Sequence, residues 1–387
     1  MEKDLRAWAE IDLDAIGHNT REIKRCLSEK TKLMGVIKAD AYGHGAVEVA
    51  AELLRNGADQ LAVAFADEAV ELRRHGFDVP ILILGNSTEG DIEVLLEYDI
   101  MPAVSDYDFA EKLSKAACTL GKVLKIHIKL DTGMSRIGFL AEDEKSIDDI
   151  CRISKLSGIE LEGLFTHFAT ADETDEEYTK YQFQQFVKTA EALERNGINI
   201  PVKHVCNSAG LVKFPEMQLD MVRAGIIIYG LYPSKDFDHS LIDLKPAMTF
   251  KSRISHIKYL DEGTTLSYGR SYTLEKESRI ATVAVGYADG YSRCLSNRVN
   301  MLVKGNAVRQ LGRICMDQCM IDISAVNNIN VGDEVVLFGG TEKGISADDI
   351  AEILGTISYE VVCAVSRRIP RIYIKNGRMT GLLNYLL

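Results

Sequence analysis

Up to about residue 235, short apolar runs alternate with stretches that carry a helical apolar period. The runs lie at 33–38, 61–64, 80–84, 101–104, 124–130, 160–166, 203–206 and 219–223, and read as eight strands. The segments between them carry helix signals. A helix over 44–58 places Val47, Ala50, Ala51 and Leu54 on one side and stops at Gly57. Thr174 with Glu177 predicts a capping box ahead of a helix that ends at Gly197. Ser105 predicts the cap of a helix ending before Gly121. Eight strand–helix units in roughly 200–250 residues point to a (β/α)8 TIM-type barrel. An open, doubly wound sheet has the same periodicity and is the alternative.

Beyond about residue 240 the pattern changes. Segments 279–285, 299–303, 318–323 and 331–338 are short, rich in β-branched residues and bounded by glycine or asparagine. They predict antiparallel strands in a second, mostly β domain, interrupted by a helix near 346–354. The expected division is an α/β barrel over residues 1–240 that binds the cofactor, and a C-terminal domain over 241–387. The first few residues are candidates to pair with the β domain.

Composition narrows the function classes. Of 387 residues, 46% are apolar and 26% charged, as in an ordinary enzyme that works in water. A net charge of -12 argues against nucleic acid and anionic membrane surfaces as partners. No apolar run reaches the roughly 18 residues of a membrane span. The charged start, Met1 to Arg6, has no apolar signal core. Eight scattered cysteines, with no second pair to match Cys315 and Cys319, suggest reduced thiols, a cytoplasmic protein and no zinc site.

The candidate chemistry lies at the strand ends, where barrels of this type place their reacting groups. Lys38 ends the first strand, inside Val36-Ile37-Lys38-Ala39-Asp40-Ala41-Tyr42-Gly43-His44-Gly45. An unprotonated lysine amine there can capture a carbonyl such as that of pyridoxal phosphate. A solvated strand-end lysine is the plainer reading of that residue alone. His167 follows strand six, Asn207 and Ser208 follow strand seven, and Arg223 ends strand eight. The small residues of Ser208-Ala209-Gly210 and Ala224-Gly225-Ile226 let backbone N–H groups approach an anion. Strand five alternates, so Lys129 should point into the barrel, with Arg136 a few residues on. Either Asp131 neutralises these cations or Lys129 is chemically modified; a surface lysine on a longer strand is the third option.

The ten-residue lysine string resembles the pyridoxal-phosphate signature of the alanine racemase family. The resemblance extends through Lys129 to Gly138, Thr166-His167-Phe168-Ala169, Asn207-Ser208-Ala209 and Val222-Arg223-Ala224-Gly225. It continues through Ser267-Tyr268-Gly269, Val285 to Gly290 and Gly312 to Asp317. It implies interconversion of L- and D-alanine, with D-alanine feeding cell-wall peptide synthesis. Lys38 would hold pyridoxal 5'-phosphate and act as one base. Tyr268, from the partner subunit of a homodimer, would be the other. His167 would contact Tyr268, and Arg223 the pyridine nitrogen. Tyr42, Asn207, Ser208, Gly225, Ile226 and Tyr359 resemble the family's cofactor-binding residues, most of them phosphate ligands; Leu84 would pack near the ring. Arg136 and the Met316 backbone would receive the substrate carboxylate, with Asp317 in support. Lys129 resembles a lysine carbamylated in several members. Asp172, Tyr287, Arg293 and Arg313 match residues that narrow the access corridor.

Three other readings compete. A barrel decarboxylase usually has an acidic residue at the pyridine nitrogen, where this chain has Arg223. A non-catalytic cofactor-binding barrel lacks a β domain with a second base, and residues 240–387 oppose it. A racemase acting on serine or another amino acid would share all these motifs.

Overall fold

The computed structural model describes residues 5–340 and 344–387. They form two compact units. One comprises Ile16–Ala41 and Ala46–Leu244; the other gathers residues 5–15, Tyr42–Gly45 and Lys245–Leu387.

The first unit contains the eight expected strands: Lys32–Val36, Gln60–Val63, Ile81–Asn86, Met101–Val104, Leu124–Asp131, Ile159–Phe165, Val202–His204 and Met221–Ala224. They are called barrel strands one to eight below. Leu33, Met34, Leu61, Ala62, Ile81, Leu82 and Ile83 are all buried, as parallel strands covered on both faces must be. Strands one to seven pair in parallel in order, strand eight pairs in parallel with strand one, and backbone bonds bridge seven to eight. Val222 of strand eight lies opposite Leu33 of strand one. Between strands seven and eight, Asp220 N–H donates to Lys203 O at 3.1 Å and Arg223 N–H to Cys206 O at 3.0 Å. Closure removes the open-sheet alternative.

Helix boundaries differ locally from the pattern. The helix expected over 44–58 spans Ala46–Arg55. Gly45 ahead of it has φ +93°, and a Cβ there would lie 1.8 Å from the Tyr373 hydroxyl. The Thr174–Glu177 capping box does not form. The helix runs Glu177–Arg195, and Asp175, nearer its start, accepts the Glu177 N–H at 2.9 Å. Ser105 does not cap Tyr107–Thr119. Asp106 accepts the Phe109 N–H at 2.7 Å, and Ser105 donates to Asn86 Oδ1 at 2.8 Å. A carboxylate is the better partner for the positive end of a helix.

The second unit is strand-rich, as expected. Ser278–Val283, Asn300–Val303, Cys319–Asp322 and Glu334–Phe338 match the four predicted segments, with Asn306–Leu311 between them. The long strand Met248–Leu260 pairs with Ser278–Val283 and Glu334–Phe338. It also pairs antiparallel with Ala7–Asp12, which in turn runs parallel to Arg371–Lys375. Ser346 caps Ala347–Leu354, accepting the Asp349 N–H at 3.0 Å. A further helix, Ser358–Cys363, was not legible in the pattern.

One carboxylate organises this unit. Asp289 is fully buried. It accepts from Arg6 Nη1 at 3.0 Å, Arg6 Nη2 at 2.6 Å and the Gly286 N–H at 3.0 Å. Arg368 Nε lies 3.6 Å away. Asp289→Ala leaves the Gly286 N–H without this acceptor and Arg6 without its carboxylate, while Arg6 keeps the Ala284 carbonyl at 2.9 Å. Because Arg6 is partly solvated, the expected loss is about 2 kcal/mol, below that of a fully buried pair. Urea unfolding measures it, and a loss under about 0.5 kcal/mol, the range of a neutral surface change, would contradict this account.

Candidate active site

Lys38 sits just past barrel strand one. Ile37 still pairs with strand two, donating to Ala62 O at 2.9 Å. The chain then enters a turn of helix, Lys38–Gly43, of the wrong hand: Ala39, Asp40, Ala41 and Tyr42 have φ from 52° to 55°. This conformation costs an L-residue about 1–2 kcal/mol. The turn persists because its polar groups are held. Ala41 N–H donates to Ile37 O at 2.8 Å, and Ala46 N–H to Asp40 Oδ1 at 2.8 Å. Glu68 accepts the Ala39 N–H at 2.6 Å. Strain of this kind collects at functional sites.

Arg223 is buried inside the barrel, with no carboxylate partner among the described residues. Nη2 donates to Thr166 O at 2.6 Å and Val205 O at 2.9 Å, and Nη1 donates to His204 O at 3.1 Å. Nη1 also lies 2.8 Å from His204 Nδ1, and Nη2 3.4 Å from His167 Nδ1. A guanidinium only donates, so His204 Nδ1 accepts. His204 therefore carries its proton on Nε2 and donates to His127 Nδ1, 2.9 Å away. His127 in turn is protonated on Nε2. Burial first, and Arg223 second, push His204 and His167 well below the ordinary imidazole range and His127 to about 3. Burial also lowers Arg223, to about 10, which leaves it protonated near neutral pH.

Lys129 points inward, as the alternation predicts, and is buried. Nζ donates to Leu130 O at 2.7 Å and lies 5.4 Å from the Phe165 ring centre. Asp131 does not bond to it; Asp131 Oδ1 accepts from Gly133 and Ser135 N–H at 2.9 and 3.0 Å. Burial, then Arg223, push the Lys129 amine down to about 7. Arg136 is exposed on the following loop, and Leu84 is half-buried in barrel strand three. At the rim of strands seven and eight, Asn207 caps Ser208–Lys213, accepting the Gly210 N–H at 3.0 Å. Ser208 Oγ accepts the Gly225 N–H at 2.9 Å, and Ile226 opens a short helical turn, Ile226–Tyr229. Asp172 is half-buried, its carbonyl accepting from Ser234 at 3.2 Å.

The second unit carries the other candidates. Tyr42 is buried beside Tyr359, ring centres 6.1 Å apart. Tyr268 is 70% exposed, in the turn Tyr268–Arg270. Ser267 Oγ holds that turn by donating to Arg313 O at 2.6 Å. Tyr287 N–H donates to Cys315 O and Ala288 N–H to Met316 O, both at 3.0 Å, which joins the Tyr287 and Met316 segments. Asp317 accepts from Arg368 at 2.8 Å. Tyr287, Arg293, Arg313 and Met316 are exposed.

Known proteins resemble this chain over nearly its whole length. The descriptions "Alanine racemase, N-terminal domain" and "Alanine racemase, C-terminal domain" fit residues 11–233 and 247–373. Alanine racemase 1 of Clostridium acetobutylicum is 50% identical, with 98% of each chain covered. The alanine racemase of Clostridium difficile 630 superposes with a TM-score of 0.96 at 45% identity, covering 99% of this chain and 100% of that one. The Bacillus anthracis enzyme with bound L-Ala-P gives 0.93 at 39% identity and 98% coverage of both. The chain belongs to the alanine racemase family. It is a pyridoxal-phosphate-dependent amino-acid racemase.

The residues present suit that cofactor. Lys38 would offer the cofactor an amine at the rim, and the Ser208 hydroxyl with the Ile226 backbone a cradle for its phosphate, Gly225 being placed beside them by its N–H bond to Ser208 Oγ. The ring nitrogen also needs a donor, which the buried Arg223 would offer. Sequence reading missed the supporting residues His127, His204, Glu68 and Gly163. The alternation of strand five already aimed His127 inward. Gly163 has its reason in that ring: a Cβ there would lie 2.2 Å from His127 Nδ1. Gly163→Ala is expected to push the imidazole off His204 and cost about 1–3 kcal/mol, as overpacking does. Chemical denaturation checks this; an unchanged midpoint would refute the steric role.

Proposed function

We propose that the chain interconverts L-alanine and D-alanine by proton exchange at Cα, in the cytoplasm, and supplies D-alanine for peptidoglycan synthesis. The observation that carries this reading is Arg223, a buried guanidinium held through both Nη atoms by carbonyl and imidazole acceptors, in the same barrel as Lys38. Pyridoxal phosphate, when bound, supplies an electron sink that acidifies the Cα–H of an amino acid. Arg223 keeps its protons and only donates a hydrogen bond to the ring nitrogen, which keeps that sink weak and limits stray protonation. An acidic residue there would strengthen it, as a decarboxylase needs.

Inversion needs a base on each face of the substrate. Lys38 serves one face. Tyr268 of the partner subunit serves the other, and a second copy covers it, since a phenol 70% exposed has no dry site of its own. His167 steadies that phenol. Tyr42, Tyr359, Ser208, Gly225 and Ile226 seat the phosphate, Asn207 is a further cofactor-binding residue, and Leu84 flanks the ring. Arg136 and the Met316 backbone orient the substrate carboxylate, with Asp317 behind them. Asp172, Tyr287, Arg293 and Arg313 narrow the approach. Among the described residues no helix is long and apolar enough to cross a membrane.

Lys129 takes part as a carbamate. Its amine, lowered to about 7, is largely neutral in mildly alkaline solution and can add to carbon dioxide with loss of a proton. The new anion would face Arg136 and Arg223, whose charges otherwise disfavour a cation at Lys129.

Two outcomes are expected. In D2O, wild type loses the chiral signal of L-alanine while gaining deuterium at Cα. Lys38→Ala does neither, and Tyr268→Phe is slower by about a hundredfold or more, the scale of a lost general acid–base. Wild-type racemisation by Tyr268→Phe would remove it as a base. With 13C-labelled carbon dioxide, a carbamate resonance appears at pH 8, fades below pH 7 as the amine protonates, and is absent in Lys129→Ala. A spectrum without that resonance at either pH would remove the carbamate.

A further inference from the structure

Barrel strands one and two part company immediately after Ile37. Their last shared bond, Ile37 N–H to Ala62 O, is 2.9 Å. Past it, two backbone N–H groups face the same space, those of Ala39 and Ala64. Two donors cannot bond each other. The side chain of Glu68, in the first turn of helix Ala66–Arg74, lies between them. Oε1 accepts from Ala39 at 2.6 Å. Oε2 accepts from Ala64 at 2.7 Å and more weakly from Phe65 at 3.4 Å.

A helix cap would account for the Ala64 and Phe65 bonds. It does not account for Ala39, 29 positions away in sequence. That bond falls on the peptide joining Lys38 to the left-handed run Ala39–Tyr42. The far end of the run is held separately, by Arg371 Nε donating to Gly43 O at 2.9 Å. At the lysine end, Glu68 is the side chain that bonds Ala39.

We propose that Glu68 is the positioning residue for Lys38: its carboxylate ties the peptide after Lys38 to the end of barrel strand two and so sets where the Lys38 amine sits. The inference rests on Lys38 being the cofactor-bearing amine. The chemistry requires a carboxylate. Ionised Glu is acceptor-only, with two oxygens for two donors. Glutamine has one acceptor oxygen and would turn its NH2 group toward the other N–H. Aspartate is one methylene short of spanning the gap. Loss of the Ala39 bond frees a strained peptide beside the reacting amine, and small displacements there are costly in rate.

The test compares wild-type holoenzyme with Glu68→Gln, which keeps shape, and Glu68→Ala. Borohydride reduction and peptide mapping locate the residue bearing cofactor and time the trapping. Hydrogen exchange follows the backbone of 37–42 against helix 66–74. For Glu68→Gln the label is expected still on Lys38, but trapped more slowly. Exchange at Ala39 rises about tenfold or more, in proportion to a lost charge-assisted bond. Turnover falls by about tenfold with KM within about twofold, the split expected when an interaction acts in the chemical step. Wild-type trapping and Ala39 exchange in Glu68→Gln would overturn the proposal. So would faster exchange confined to helix 66–74, which is what a cap alone predicts. A label on a lysine other than Lys38, in wild type, would instead overturn the site reading beneath it.

Discussion

A buried guanidinium must find an acceptor for its N–H groups, and the centre of this barrel is arranged around that demand. Arg223 meets it with the carbonyls of Thr166, His204 and Val205 and with imidazole nitrogen rather than with a carboxylate. The direction of every later bond follows. His204 can only accept at Nδ1, so it donates at Nε2, and His127 accepts in turn. Both rings stay neutral, since a second and third charge beside Arg223 would be desolvated and repelled together. Gly163 leaves the space that the outer ring occupies. The buried cation and its neutral supports form one cluster, and its positive field adds to burial in lowering the Lys129 amine.

The second unit solves a similar problem with the opposite charge. Asp289 brings the N-terminal Arg6, the Gly286 turn and Arg368 to one buried carboxylate. Tyr287 and Met316 sit on segments joined to that turn by backbone bonds. These exposed candidate side chains thus stand on a base of backbone bonds. Holding them costs little disorder when a substrate or a second copy arrives, which is the benefit of preorganisation.

Much of this was legible in the chain. Eight apolar runs alternating with helical stretches identify the barrel, and Lys38, His167, Ser208 and Arg223 near their ends mark its candidate rim. The alternation in strand five pointed Lys129 inward correctly. Caps were less legible. Ser105 and Thr174 are good cap residues, but Asp106 caps the first of these helices, and the second begins without a side-chain cap, Asp175 bonding only the Glu177 N–H. The left-handed turn after Lys38 was invisible, since Ala39, Asp40, Ala41 and Tyr42 have no local preference for positive φ.

Local periodicity and residue type are properties of neighbours in sequence. They were enough for the element order, the strand-rich second half and the candidate amine. Glu68 bonding Ala39, Arg6 bonding Asp289 and the His127–His204–Arg223 chain join residues far apart in sequence. Their formation depends on which donors are left without acceptors once the barrel has closed. No local pattern contains that information, because the requirement to satisfy a buried N–H arises only after tertiary packing has excluded water.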